Sequence, residues 1–395
     1  MSTSTLAPGA NVAALRHARG LSQAALARRA AISVSLLSKA EVGARALTPT
    51  TAAAIARALG VTMAEVLGQS PPSRGNEALL HELRSAVRDY DRPRGNRVGA
   101  DRVAAALTRA DTLRNDVDIT GLLAVLPELL RDVTDHAFAA NTSESWMAVA
   151  DVYSSVYWIS ARHRWMDLAE LAVTRQQWAV RQKPNPLGEA IAARDRAGAY
   201  LNGGDFEGGL HIVDRAIARA ESQLHGPQRA FAVGMLNLRG MTLAGRLRDK
   251  REGRRAAERH IRSAREVSQV VGEDVRCHSM IFGPGNTATH ELATRLDLGR
   301  PDEALRVAGS SNFSEVLAKL PPTRISPTHI NIARAQLDLG DRDGALDSLT
   351  TAWRAAPQMA RIHPMGREVF RVVASLHRRG NAKLTALSRM SGMAV

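Results

Sequence analysis

A chain of 395 residues exceeds one ordinary hydrophobic core, so two or more domains are expected. With 45% hydrophobic and only 4% aromatic residues, and Ala and Leu throughout, the composition excludes a disordered chain and favours helices over strands; an all-α fold is the first expectation. The formal net charge of +14 lowers the cost of approaching a polyanion such as DNA without identifying one, and the excess of Arg over Lys can equally reflect a GC-rich genome.

Residues 1–10 are expected to be a flexible N-terminus with no secretion signal, since no basic segment is followed by an apolar core. From residue 11 the punctuation is helical. Val12, Leu15 and Ala18 form the stripe of a first helix that stops at Gly20. Ser22 caps a second helix with Leu26, Ala27 and Ala30 buried, and Ala31 and Ile32 turn the chain. Ser33 caps a third helix containing Leu36, Leu37, Ala40 and Val42, ended by Gly43. Thr48 and Pro49 start a fourth helix that Gly60 stops, and Thr62 caps a short fifth.

Five short helices within residues 11–68, with a tight turn between the second and third, resemble the Cro-like repressor family of the xenobiotic-response-element (XRE) type. Leu21-Ser22-Gln23, Leu26-Ala27, Ile32-Ser33, Leu37-Ser38-Lys39, Glu41, Gly43, Pro49 and Leu59-Gly60-Val61 fall at matching spacings. The resemblance implies a third helix in the major groove of double-stranded DNA, with Ser33, Val34, Ser35, Ser38 and Lys39 at the reading positions and Gln23 and Arg45 on phosphate. Arg16, Arg19, Arg28, Arg29, Lys39, Arg45 and Arg57 against Glu41 and Glu65 make this module basic. Val34 departs from the long polar residue of many relatives, so direct base readout is thin, and Lys39, thymine-methyl contacts and DNA shape are expected to carry specificity. Leu36, Leu37 and Ala40 read as core, Glu41 as a local polar support and Arg57 as a solvated side chain.

Residues 69–76, with paired prolines, Gly and Ser, read as a linker, and 77–390 as helix after helix. Within them Gly340-Asp341, followed by Ala345, Leu349, Ala352 and Pro357, is similar to the tetratricopeptide pattern, in which small residues stand where two helices cross. Gly299 with Ala304 and Gly204 with Gly209 repeat it, and weaker copies centre on Ala169 and Ala257. The markers lie roughly 40 to 48 residues apart, so the units are longer than the standard 34. A single hairpin cannot bury its own faces, so a tetratricopeptide-like (TPR-like) α-superhelical solenoid is expected.

A repressor-like module before such repeats resembles the peptide-pheromone-responsive regulators of Gram-positive bacteria. It is also similar to a group of actinobacterial regulators with a Phe-Gly-Pro-x-Asn element, here Phe282-Gly283-Pro284-Gly285-Asn286. The resemblance implies a peptide or protein ligand on the concave face. Counting back from the turn glycines puts Asp151, Trp158, Arg194, Arg246, Asn286 and Arg334 on that face. Five of the six have a plainer reading: Asn286 as a helix cap, Trp158 as packing, the three arginines as solvated groups. The same surface could build a homodimer.

No cofactor, metal or catalytic role is expected. His290-Glu291 lacks the second His of a zinc helix, Gly203-Gly204-Asp205-Phe206-Glu207 lies in a repeat turn, and Phe282–Asn286 lacks the Lys and Ser/Thr of a phosphate-cradling loop. Cys277, the sole cysteine, excludes an intramolecular disulfide and suits a reducing compartment, and on a helix it would point away from His278. No apolar run reaches the roughly 20 residues that span a bilayer. The expectation is a cytoplasmic, nucleoid-associated, sequence-specific regulator of transcription; the alternative is an interaction scaffold whose helix-turn-helix no longer binds DNA specifically.

Overall fold

The computed structural model describes residues 8–67, 77–377 and 381–393, and the chain is all-α apart from one two-stranded hairpin among these residues. The N-terminal module comprises α1 (Pro8–Ala18), α2 (Gln23–Ala30), α3 (Val34–Glu41), α4 (Pro49–Leu59) and α5 (Met63–Leu67). Side-chain caps set the boundaries: Ser22, Ser33 and Thr48 each accept a backbone N–H three residues on. Thr62 and Glu65 close a reciprocal pair at the start of α5. Ala31 takes a left-handed conformation (φ 52°) to make the tight turn before α3. Leu26, Leu37, Leu47, Ile55 and Val66 are fully buried at the centre.

Several boundaries differ from the sequence reading. The helix α1 starts at Pro8 rather than after residue 10, because Gly9 lets it pack directly on α3; a Cβ there would stand 1.9 Å from the Ala40 carbonyl oxygen. The helix α3 ends at Glu41, and Val42, expected among the apolar positions, is 75% exposed. Leu36 is half-buried and Ala18 exposed, while Leu37 and Ala40 are core. Residues 1–7 and the expected linker 69–76 lie outside the described residues.

From Glu77 the chain runs through α6 (Glu77–Arg88), α7 (Ala100–Asn115), α8 (Ile119–Ala140), α9 (Ser143–His163), α10 (Met166–Val180), α11 (Pro186–Gly203), α12 (Phe206–Gln223), α13 (Gly226–Ala244) and α14 (Lys250–Val271). The strands β1 (Val275–Cys277) and β2 (Met280–Phe282) follow. Then come α15 (Pro284–Asp297), α16 (Pro301–Ala308), α17 (Phe313–Ala318), α18 (Pro322–Asp338), α19 (Arg342–Ala355), α20 (Pro357–Ile362), α21 (Pro364–Leu376) and α22 (Ala382–Ser391). The helices pair as successive antiparallel hairpins, α9/α10, α11/α12, α13/α14, α15/α16 and α18/α19, each packed on the next.

Chemistry at the turns and crossings explains the pairing. Gly204, Gly299 and Gly340 end first helices with φ of 84°, 77° and 85°. Asp205 and Asp341 cap the following helices through the backbone N–H of Gly208 and Gly344 at 2.8 and 2.9 Å. Ala169, Ala257, Ala304 and Ala345 have no exposed surface, and a Cβ on Gly209 would come within 2.7 Å of Leu243. Each of these small residues lies on the second helix of its hairpin, where a larger side chain would separate the pair.

The expectation of uninterrupted helices fails at residues 275–282. The strands β1 and β2 pair antiparallel through a two-residue turn at His278 and Ser279, both with positive φ (48° and 58°). Phe282 packs on Gly234 of α13, where no side chain intervenes. Cys277 and His278 are therefore on a strand and a turn, not on a helix.

The array returns on itself. Ile119 N–H at the start of α8 donates to Gln358 of α20 at 3.1 Å, and α7 touches α18. The N-terminal module docks on the array at two places. Leu47 N–H donates to the buried Glu368 of α21 at 3.3 Å. Arg57, expected to be only solvated, reaches the Gly204 carbonyl at 3.4 Å, beside Met63 and Ala53, which leave no room for a Cβ at Gly204.

Replacing Ala345 with Leu is expected to destabilise the protein by about 1–3 kcal/mol, as overpacking does in close-packed interiors. The exposed Thr351→Ala on the same helix should change stability by less than about 0.5 kcal/mol. Urea unfolding of the two variants checks this; equal stabilities would remove the crossing constraint.

Candidate nucleic-acid interface

In the α2–turn–α3 unit, capping leaves donors at both helix starts. Ser22 takes the Ala25 N–H and Ser33 the Leu36 N–H, so the backbone N–H groups of Gln23, Ala24, Val34 and Ser35 have no acceptor among the described residues. Unpaired N–H groups and the positive end of the helix dipole suit an anion such as a phosphate. Ser33, Val34, Ser35, Lys39 and Arg45 are exposed, and Ser38 is half-buried. Val34 is 46% exposed at the first position of α3, so it presents methyl groups where a polar reader would offer hydrogen bonds. Lys39, Arg28 and Arg29 make no salt bridge among the described residues, which leaves their charge for an external partner. Burial raises the Asp338 carboxyl at the end of α18, and the charges of Arg334 and, more weakly, Arg45 offset part of that.

A buried ion pair holds the unit together. Arg16 on α1 binds Glu41 at the end of α3 through two contacts, 2.7 and 2.9 Å, with side chains only 8% and 5% exposed. A third guanidinium contact goes to the Leu21 carbonyl at 2.8 Å, just before α2. Burial would raise the Glu41 carboxyl, but hydrogen bonds from Arg16 and Gln23 outweigh it and hold it below its ordinary value. Glu41 thus ties α1, the start of α2 and α3 together. The Gln23 amide donates to Glu41 at 2.8 Å and is half-buried, so the side chain expected on phosphate is already engaged, and its backbone N–H is the group left unpaired.

The six concave candidates separate into two sets. Trp158 and Arg194 line one cavity inside the array. Asp151 does not join them: its carboxylate accepts from His278 Nδ1 at 2.8 Å and pins the β1–β2 turn to α9. Burial alone would lower His278, but Asp151 holds the imidazolium up to about 10. Arg246 and Arg334 are both spent on the buried Asp297, at 2.7 and 3.3 Å. Asn286 is 1% exposed and donates to the Ile281 carbonyl at 2.7 Å. It is neither ligand-facing nor a cap, because Asp274 caps α15 through the N–H groups of Gly285 and Asn286. Sequence spacing pointed to neither Asp274 nor Asp297.

The cavity measures about 300 Å³ and is lined by the first helices of the hairpins, α9, α11, α13, α15 and α18, with α7 and α20 closing the ring. Five further arginines that the spacing rule missed, Arg114, Arg162, Arg164, Arg239 and Arg324, lie there with Arg194.

Removing the Glu41 carboxylate would leave Arg16 buried and unpaired, so Glu41→Ala should cost about 3 kcal/mol of local stability at pH 7. Because the folded-state carboxyl lies below its ordinary value, this stabilisation is complete above the unfolded value of about 4.3 and is lost as pH falls through the folded one. Hydrogen exchange at the Leu37 and Ala40 amides should show a variant effect at pH 7 that shrinks in acid; a pH-independent difference would contradict the ion-pair account.

A family model described as helix-turn-helix matches residues 12–66. No curated protein and no solved structure matches the chain. Among the described residues no helix is long and apolar enough to cross a membrane. The matched family is a DNA-binding regulatory domain and not an enzyme family. Residues 12–66 are thus a helix-turn-helix domain of the XRE type, and the chain is in general terms a DNA-binding regulator.

Proposed function

We propose that this protein is a sequence-specific regulator of transcription that reads the major groove with α3 and senses a ligand or partner through its helical array. The observation that carries this reading is the set of exposed groups on α2 and α3: backbone donors at both helix starts without an acceptor, and Lys39 on α3 and Arg28 and Arg29 on α2 without acidic partners, among the described residues. Ser33, Val34, Ser35, Ser38 and Lys39 face the bases, and the starts of α2 and Arg45 meet phosphate. With one valine and three serines at the reading positions, methyl contacts and DNA shape supply much of the discrimination. A homodimer would place two α3 helices one helical turn apart on a palindromic site. Such a protein works in the cytoplasm, at the nucleoid.

The array supports the sensing role because its TPR-like hairpins direct their first helices to one interior while its α11–α12 turn, at Gly204, and α21, at Glu368, hold the reading module. Exposed Val34 and Val42 favour one rival, a protein-docking scaffold in which α3 meets an apolar partner and no longer selects DNA sequence.

Site selection from genomic fragments followed by mobility shift separates the two. The regulator reading expects a palindromic site, bound by wild type and weakened at least about tenfold by Lys39→Ala with Ser35→Ala, in line with about 1–3 kcal/mol per lost base contact. Binding that is equal on all sequences and collapses with salt would support the scaffold.

A further inference from the structure

The interior of the array is more basic than its own stability can use. Arg114, Arg162, Arg164, Arg194, Arg239 and Arg324 converge on one cavity of about 300 Å³, and Asp195 is the only carboxylate lining it among the described residues. Asp195 is already satisfied, accepting from Ser154 at 2.6 Å, Arg194 at 3.1 Å and Gln176 at 3.3 Å. Arg114, 5% exposed, hydrogen-bonds among the described residues only to the hydroxyls of Ser154 and Ser155 and lies 5.6 Å from the Trp158 ring. Arg162 stacks 4.0 Å over Trp158 and donates to its carbonyl, and Arg324 reaches one carbonyl at 3.5 Å.

The remaining valences are open. Among the described residues the Nε atoms of Arg162, Arg164, Arg239 and Arg324 are out of solvent with no acceptor, and so is the hydroxyl of Thr323, itself 3% exposed in the same cavity wall. A buried unpaired cation is costly, and four around one space repel each other. Burial, then the mutual repulsion, depresses Arg324 to about 9 and Arg239 to about 10, and burial keeps His363 neutral down to about 3. Arg164 even occupies a left-handed turn position (φ 63°) where the corresponding turns at Gly204 and Gly340 use glycine.

We propose that this cavity binds a small, multiply charged anion of the phosphoryl class, whose oxygens take up the open guanidinium donors of Arg162, Arg164, Arg239 and Arg324 and the hydroxyl of Thr323. A phosphoryl group offers three acceptor oxygens and nearly two charges, which suits several convergent guanidiniums better than a single carboxylate does. The volume lies at the lower end of the small-molecule range, which favours a compact ligand such as a nucleoside diphosphate over a peptide threaded along the array. The inference gives a chemical class to the sensing role proposed above and rests on that role only for its effect on DNA. That effect has a physical route: α11 carries Arg194 and ends at the Gly204 dock, and α18 carries Arg324 and ends at Asp338 near Arg45.

The test titrates sodium pyrophosphate, then a nucleoside diphosphate, into the full-length protein by calorimetry and thermal unfolding, with sodium chloride at matched ionic strength as the control. Saturable binding that raises Tm beyond the chloride effect is expected. Arg239→Gln and Arg324→Gln should each weaken it at least tenfold while leaving the unliganded Tm equal or higher, because they relieve repulsion. Arg229→Gln, on an exposed helix face, should leave binding as in wild type. A nucleoside diphosphate binding more tightly than pyrophosphate identifies a nucleotide source; the reverse identifies a free phosphoryl anion. No saturable binding, binding indifferent to both cavity variants, or a lowered Tm in both without a change in anion affinity would overturn the proposal. Saturation by an acidic hexapeptide but not by pyrophosphate would overturn it as well. Mobility shift on the same preparations keeps the two readings apart: anion binding without DNA binding removes only the regulator, and DNA binding without anion binding removes only this site.

Discussion

Two helices joined by a short turn pack closely only if the residue at their crossing has almost no side chain, and the architecture of this protein rests on that constraint. Ala169, Gly209, Ala257, Ala304 and Ala345 each stand at such a crossing on a second helix. Once the second helices are committed to closing the hairpins, the first helices are left to face one another across the interior. The chain then returns far enough for α20 to meet the start of α8, and the interior becomes a partly closed cavity ringed by helices. Burial of charge inside it follows from the geometry, and so does the way that charge is distributed: some arginines are neutralised by Asp297 and Asp195, others are left with open donors.

The same array fixes the reading module. Gly204 serves twice, as the left-handed residue ending α11 and as the bare backbone against which Met63 and Ala53 pack. Glu368 holds the loop between α3 and α4 from the other side through Leu47. Neither dock covers the exposed residues of α3, so the module is anchored by its back while its front stays accessible. Within the module Glu41 does the equivalent task, binding Arg16 and Gln23 and thereby setting α3 against α1 and α2.

Local chemistry was legible in the sequence, and long-range chemistry was not. Caps and turns such as Ser22, Ser33, Thr62, Gly60 and Gly340 act within four residues of themselves, so the helix starts and the turns between hairpins could be read directly. The small residues at the crossings could be found because their period repeats. By contrast, Arg246 and Arg334 meet Asp297 across 51 and 37 residues, and nothing near either arginine signals that it is spent. Asn286 was read as a ligand or a cap from its place after Pro284-Gly285, whereas Asp274, twelve residues earlier, supplies the cap and the β1–β2 hairpin buries the amide. That hairpin is not legible in the sequence because three-residue strands carry too few alternations to show a period. Gln23 was expected on phosphate, yet a partner eighteen residues away occupies its amide.

In the proposed regulator the N-terminal ends of α2 and α3 are the surface that meets DNA. Millisecond hydrogen exchange on the full-length protein, with and without a selected duplex, tests it most directly. The amides of Gln23, Ala24, Val34 and Ser35 have no acceptor among the described residues, so they should exchange rapidly and slow markedly on the duplex, while amides of α12 and α14 stay unchanged. Protection that appears elsewhere on the protein, with these four amides still exchanging as in the free state, would contradict the account.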